Sequence, residues 1–116
     1  MTRSSLALVL TLLATVGCAH APAVEAPPRS RLDAAREALH GGAFATADQI
    51  LSELAADAPL SADGHEALFL LGLLHLDPRN PAWSPAEAEI VLARYLEVPF
   101  GAQRPEAVSL FALARR

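Results

Sequence analysis

The chain has 116 residues, 53% of them hydrophobic, and a formal net charge of −4. That length holds one small domain with some chain to spare, and the acidic balance excludes the clustered basic surface that nucleic-acid binding requires. With a single cysteine, Cys18, the chain has no internal disulfide to close, so packing alone must hold the fold.

The first element is an apolar run. Thr2 and Arg3 give a short, weakly positive start, and Leu6 to Val16 is apolar apart from two threonines. This is too short to cross a bilayer as a helix, which takes about 20 residues. A positive start, a short apolar stretch and small residues at its end make a secretory signal. An uncleaved anchor would need more apolar length. An ordinary cleavage after Ala19-x-Ala21 would leave Pro22 directly behind the cut, where proline is a poor substrate. Gly17-Cys18 at the end of the run resembles instead the signal of bacterial lipoproteins, with Thr15 where that family usually has Leu, Val or Ile. The resemblance implies removal of residues 1–17, fatty chains on the Cys18 thiol and usually on its new amino group, and attachment of the protein to a membrane through them. One chain anchors marginally, two or more stably. Ala19, rather than Asp, in the next position implies the outer membrane, facing the periplasm. Loss of Arg3 with the signal takes the −4 charge to about −5.

Residues 18–29 follow as a tether. Ala19 to Arg29 holds three prolines among small residues, and proline-rich chain extends at about 3.1 Å per residue, a reach of roughly 35 Å.

Residues 30–116 read as an all-α domain of about five helices. Ser30, three residues before Asp33, caps a helix from Arg31 to His40. Leu32, Ala35 and Leu39 share one face of it, and Gly41-Gly42 ends it. Phe44, Ala47, Ile50, Leu51 and Leu54 recur at three- and four-residue steps, the pattern of an amphipathic helix, closed by Pro59. Asp63, with Glu66 three residues on, is expected to cap a third helix. Leu68 to Leu74 is apolar almost without a break, which places this helix at the centre of the domain. Asp77-Pro78-Arg79-Asn80-Pro81 is a turn. Ser84-Pro85-Ala86-Glu87 combines a serine cap, proline at the first helical position and glutamate at the third, opening a helix that carries Ile90, Leu92, Ala93 and Leu96. A last helix, Pro105 to Arg115, carries Val108, Leu110, Phe111 and Leu113.

Two helix pairs look alike. Gly42-x-Phe44-x-x-Ala47-x-x-x-Leu51-x-x-Leu54, with Pro59 after it, resembles the second helix of a tetratricopeptide repeat. Leu68-x-x-Leu71-Gly72 resembles that family's first-helix motif, and Ala86, Ile90 and Ala93 would take the matching steps of the next second helix. The resemblance implies two helix pairs plus a capping helix that covers the open end. It also implies a protein–protein scaffold rather than a catalyst, whose partner meets the first-helix surfaces, Arg31 to His40 and His65 to His75. A generic helical bundle with Leu and Ala at core spacing is the competing reading. Leu76 to Pro81, followed by Ser84-Pro85 and an Ala/Leu helix, also resembles small envelope lipoproteins that accompany sensor kinases in proteobacteria.

Chemistry is sparse. His65-Glu66 is followed by Phe69 where a zinc motif of the His-Glu-x-x-His type needs histidine. His75 lies about 15 Å along the helix from His65 at about 1.5 Å per residue. Neither a metal, a cofactor nor an enzymatic activity is expected. Three residues are candidates for partner binding: Arg36; Trp83, either a recognition anchor or a staple packed on the helix it precedes; and Tyr95, either a contact or the closure of a core edge. The functional expectation is a membrane-anchored periplasmic lipoprotein acting as a scaffold or adaptor for an unidentified protein. The alternatives are a structural accessory of an envelope assembly acting through self-association, and an accessory of a sensor-kinase system.

Overall fold

The computed structural model describes residues 30–116, all-α and without a strand among them. Five helices follow one another: α1 Arg31–His40, α2 Phe44–Asp57, α3 Ala62–Leu76, α4 Pro85–Glu97 and α5 Arg104–Ala114. Local chemistry fixes most of their ends. The Ser30 Oγ accepts from the Asp33 N–H at 3.1 Å and the Ser84 Oγ from the Glu87 N–H at 3.3 Å. Each satisfies one donor that a first turn leaves unpaired. Between α1 and α2 the left-handed residue is Gly42, at φ 75°, a conformation that glycine adopts without steric cost.

The cap of α3 differs from the expectation. Ser61, not Asp63, is the N-cap, its Oγ accepting from the Gly64 N–H at 2.9 Å. Asp63 already lies inside the first turn, where its charge suits the positive end of the helix. Glu66 makes no capping box; it reaches across to Arg36 of α1.

Each helix packs on the next in sequence, and beyond that α1 touches α3 and α3 touches α5, whereas α2 and α4 do not meet. The arrangement is therefore two layers, α1, α3 and α5 in one and α2 and α4 in the other. Chain direction alternates. Arg31, at the start of α1, pairs with Glu53 and Asp57 near the end of α2 at 3.3 and 3.0 Å. The three helices of the odd layer consequently run the same way.

The core follows from this stacking. α3 buries ten residues, from Gly64 to His75, because partners cover it on several sides. Ala47, Leu51 and Leu54 of α2 are buried, as are Ala88, Leu92 and Tyr95 of α4, the same four- then three-residue steps. This corrects the register expected for α4. Ala86 and Ile90 face outward, and the repeated steps begin two residues later, at Ala88. α5 buries only Ala107 and Ala114, with Val108 and Leu113 more than half exposed, so it covers α3 and α4 while leaving its own far side open.

Candidate functional site

The odd layer carries a groove of about 760 Å³ on the C-terminal halves of its three helices. Leu39 of α1, Leu70 and Leu73 of α3, and Leu110 and Leu113 of α5 line it. Because α1, α3 and α5 run the same way, their side chains form a leucine surface continuous across three helices. Leu73 and Leu113 are 39% and 53% exposed there. The apolar-all-round pattern of α3 thus has a second meaning: ten other residues of the helix are buried by packing, but Leu73 points into the open groove.

Arg36 and Arg79 stand at the rim with His40 and Asp77. Arg36 bridges α1 and α3: it donates to Glu66 and, at 3.1 Å, to Asp33. These carboxylates, Glu66 foremost, hold its guanidinium protonated beyond the ordinary arginine range. Arg79 donates to both carboxylate oxygens of Asp77, at 3.1 and 2.8 Å, and its own backbone N–H donates to the same group at 2.9 Å. These hydrogen bonds pull the Asp77 carboxyl below its ordinary value of 3.8. Arg79 also lies 5.6 Å over the Phe44 ring, a cation–π distance. Both guanidiniums are thereby held in place at the edge of the apolar surface.

The loop between α3 and α4 closes this end through Asn80. Its Nδ2 donates to the Leu74 carbonyl and its Oδ1 accepts from the Ala82 N–H, both at 2.9 Å. The Ser84 N–H donates to the His75 carbonyl at 2.9 Å. Asn80 is 4% exposed and acts as the internal brace of the loop. That brace explains how a connection longer than a tight turn stays ordered.

The three sequence candidates separate. Arg36 is in the groove. Trp83 is in the same loop as Arg79, outside the groove lining, and is 55% exposed; it is not buried as a staple. Tyr95 has no exposed surface, which removes it from any contact with a partner. It closes the core at the far end instead. Its ring stacks on His65 at 4.1 Å, and the His65 Nε2–H donates to the Tyr95 carbonyl at 2.9 Å. Since a carbonyl only accepts, that ring nitrogen carries the proton. Gly101, at φ 140°, lies against both rings, where any Cβ would strike the Tyr95 hydroxyl.

The leucines of the groove were missed as a site. The signal for them lay in α3 being apolar on more faces than two flanking helices can cover. Cys18, the signal over 1–17 and the tether over 18–29 lie outside the described residues. Among the described residues no three His, Cys, Asp or Glu side chains gather as a metal site, and no helix is long and apolar enough to cross a membrane. Comparison of the chain with protein-family models, curated proteins and solved structures finds no match.

Proposed function

We propose that the chain is a lipid-anchored envelope lipoprotein whose helical domain holds a protein partner in the leucine groove of α1, α3 and α5. The observation that carries this reading is the groove itself. Soluble domains cover contiguous apolar surface unless it serves binding, and here leucines from three helices stay open beside two positioned guanidiniums. Two buried Ala-x-x-x-Leu-x-x-Leu/Tyr sets on alternate helices, with a parallel odd layer, support the tetratricopeptide-like reading. In such a stack the layer of first helices is the recognition face. The matching occupant is an amphipathic helix that seats its apolar side on the leucines and brings a carboxylate to Arg36 or Arg79. The signal and Gly17-Cys18 support export and a membrane address facing the periplasm.

A photo-crosslinking residue in place of Leu73 or Leu113, in the full chain in cells, tests the face. The same group in place of Ile90 serves as control, since Ile90 is 54% exposed on the other layer. A discrete protein adduct from the two groove positions and none from Ile90 supports the proposal. Adducts from all three alike, or from Ile90 only, contradict it. Arg36→Ala is expected to weaken the groove adducts while the domain stays folded.

A further inference from the structure

The end of the stack opposite the groove carries a second apolar surface. Leu60, in the turn between α2 and α3, is 91% exposed, and Phe100, in the loop between α4 and α5, is 69% exposed. They are the two most exposed large hydrophobic side chains in the described residues, and they come together: both line one shallow pocket of about 280 Å³ with His65 and Gln103. Their loops are anchored, not loose. The Ser61 N–H and Oγ both donate to the Ala58 carbonyl, at 3.0 and 2.7 Å. Arg104 donates to the Leu96 and Val98 carbonyls at 3.1 and 2.7 Å, and Phe100 leans on His65 at 6.0 Å between ring centroids. Two fixed apolar tips at one end resemble a wedge more than a stray patch.

The position of the chain's entry says what meets them. α1 begins at this same end, as the Arg31–Asp57 pair at 3.0 Å requires, only three residues from Leu60. The chain preceding Ser30 leads back over a dozen residues to Cys18. If Cys18 holds fatty chains, the tether that leads to them leaves the domain from this end.

We propose that Leu60 and Phe100 form a membrane-contacting tip that lays this end of the domain on the lipid surface and turns the leucine groove and Trp83 away from it. The inference rests on the lipid anchor proposed above. The anchor holds the domain near the bilayer, so two side chains suffice to orient it without binding on their own. Charge selects the lipid. Asp33, Asp57, Asp63, Glu97 and Glu106 surround this end and outnumber Arg31, Arg94 and Arg104, so an anionic leaflet repels it and a zwitterionic one does not. The tip therefore fits a phosphatidylcholine or phosphatidylethanolamine surface.

The chain has one tryptophan, Trp83, at the groove end, which makes it a built-in control. The full chain, purified from membranes, is reconstituted in phosphatidylcholine vesicles with brominated acyl chains. Flotation reports the anchor, and tryptophan quenching reports the orientation. Phe100→Trp and Leu60→Trp, each in a Trp83→Phe background, are expected to show blue-shifted, quenched emission, while Trp83 of the unaltered chain stays unquenched. Both positions are exposed, so either variant can stand in if the other folds poorly. Replacing half the lipid with phosphatidylglycerol should reduce the quenching. A chain that floats with positions 60 and 100 unquenched overturns the tip and leaves the anchor standing, including the case in which those residues meet a protein instead. Quenching that rises with phosphatidylglycerol overturns the choice of lipid. A chain that does not float overturns the anchor and the orientation together.

Discussion

Helices α3 and α5 are made of similar residues and end in opposite situations. Both are rich in leucine and alanine, with a phenylalanine near the middle. α3 is packed by all four other helices and buries ten residues; α5 is packed only by α4 and α3 and buries two alanines. Composition thus does not set burial here. Rank in the stack does, as expected where each helix is stabilised by its neighbours. The same asymmetry produces the groove, because α5 shelters Leu110 in part and leaves Leu113 open.

The largest expected effect comes from cutting equal side chains in the two helices. Leu74 is 1% exposed and Leu113 is 53% exposed. Leu74→Ala should lower unfolding free energy by about 3 kcal/mol through lost burial and a cavity, and Leu113→Ala by less than about 0.5 kcal/mol, both measured by urea denaturation. Equal losses would mean that α5 is as embedded as α3. Native-state hydrogen exchange sharpens the point: α3 amides should open only with global unfolding, and α5 amides by local opening.

Next comes the close approach at the start of α3. A Cβ on Gly64 would land on the Ala58 carbonyl oxygen. Gly64→Ala should therefore destabilise by about 2 kcal/mol in the same assay, since overpacking against backbone outweighs a helix-propensity gain of about 1 kcal/mol. A stabilised variant would mean that the turn at Ala58 relaxes freely.

Helix starts give a smaller contrast. α4 opens on a serine whose side chain caps it; α5 opens on Gln103, which makes no such bond. Ser84→Ala should cost about 1 kcal/mol and raise exchange in the first turn of α4 toward that of α5. Unchanged exchange there would show that Pro85 and the Asn80-braced loop suffice.

The smallest effect is electrostatic. Asp77 titrates lower in the folded chain than its ordinary 3.8, because Arg79 hydrogen-bonds its charged form. A lowered folded pKa gives stability that is present above 3.8 and lost as pH falls through the lowered value. The pair is at the surface, so the contribution is small. The melting-temperature difference between the parent and Arg79→Ala should be present at neutral pH and vanish in strong acid. A difference that persists there would assign it to the Phe44 contact of Arg79 instead.

Much of the fold was legible because its signals are local. Ser30 and Ser84 announce their helices within four residues, and the steps Ala47, Leu51 and Leu54 mark a buried stripe. Where information was tertiary, the sequence misled or was silent. Ser61 and Asp63 both suit a cap, and the choice turns on the path of the preceding turn at Ala58. The outward register of Ile90 follows from where α3 and α5 lie, not from α4 itself. Tyr95 suits either a contact or a core edge in the sequence, and His65 and Gly101, from other elements, decide for the core edge by closing over it. Arg104 is silent in the sequence, since its role is to satisfy carbonyls eight and six residues back at the end of α4. The groove required three helices to be aligned before its leucines became one surface.

Anchoring of this stack to a membrane is tested most directly by intact-mass and peptide mass spectrometry of the chain purified from its native envelope. Lipidation predicts a mature chain whose first residue is Cys18, heavier by its fatty acyl groups, and loss of membrane fractionation in Cys18→Ser. A mature chain that keeps residues 1–17, or one that begins beyond Cys18 without lipid, would contradict it.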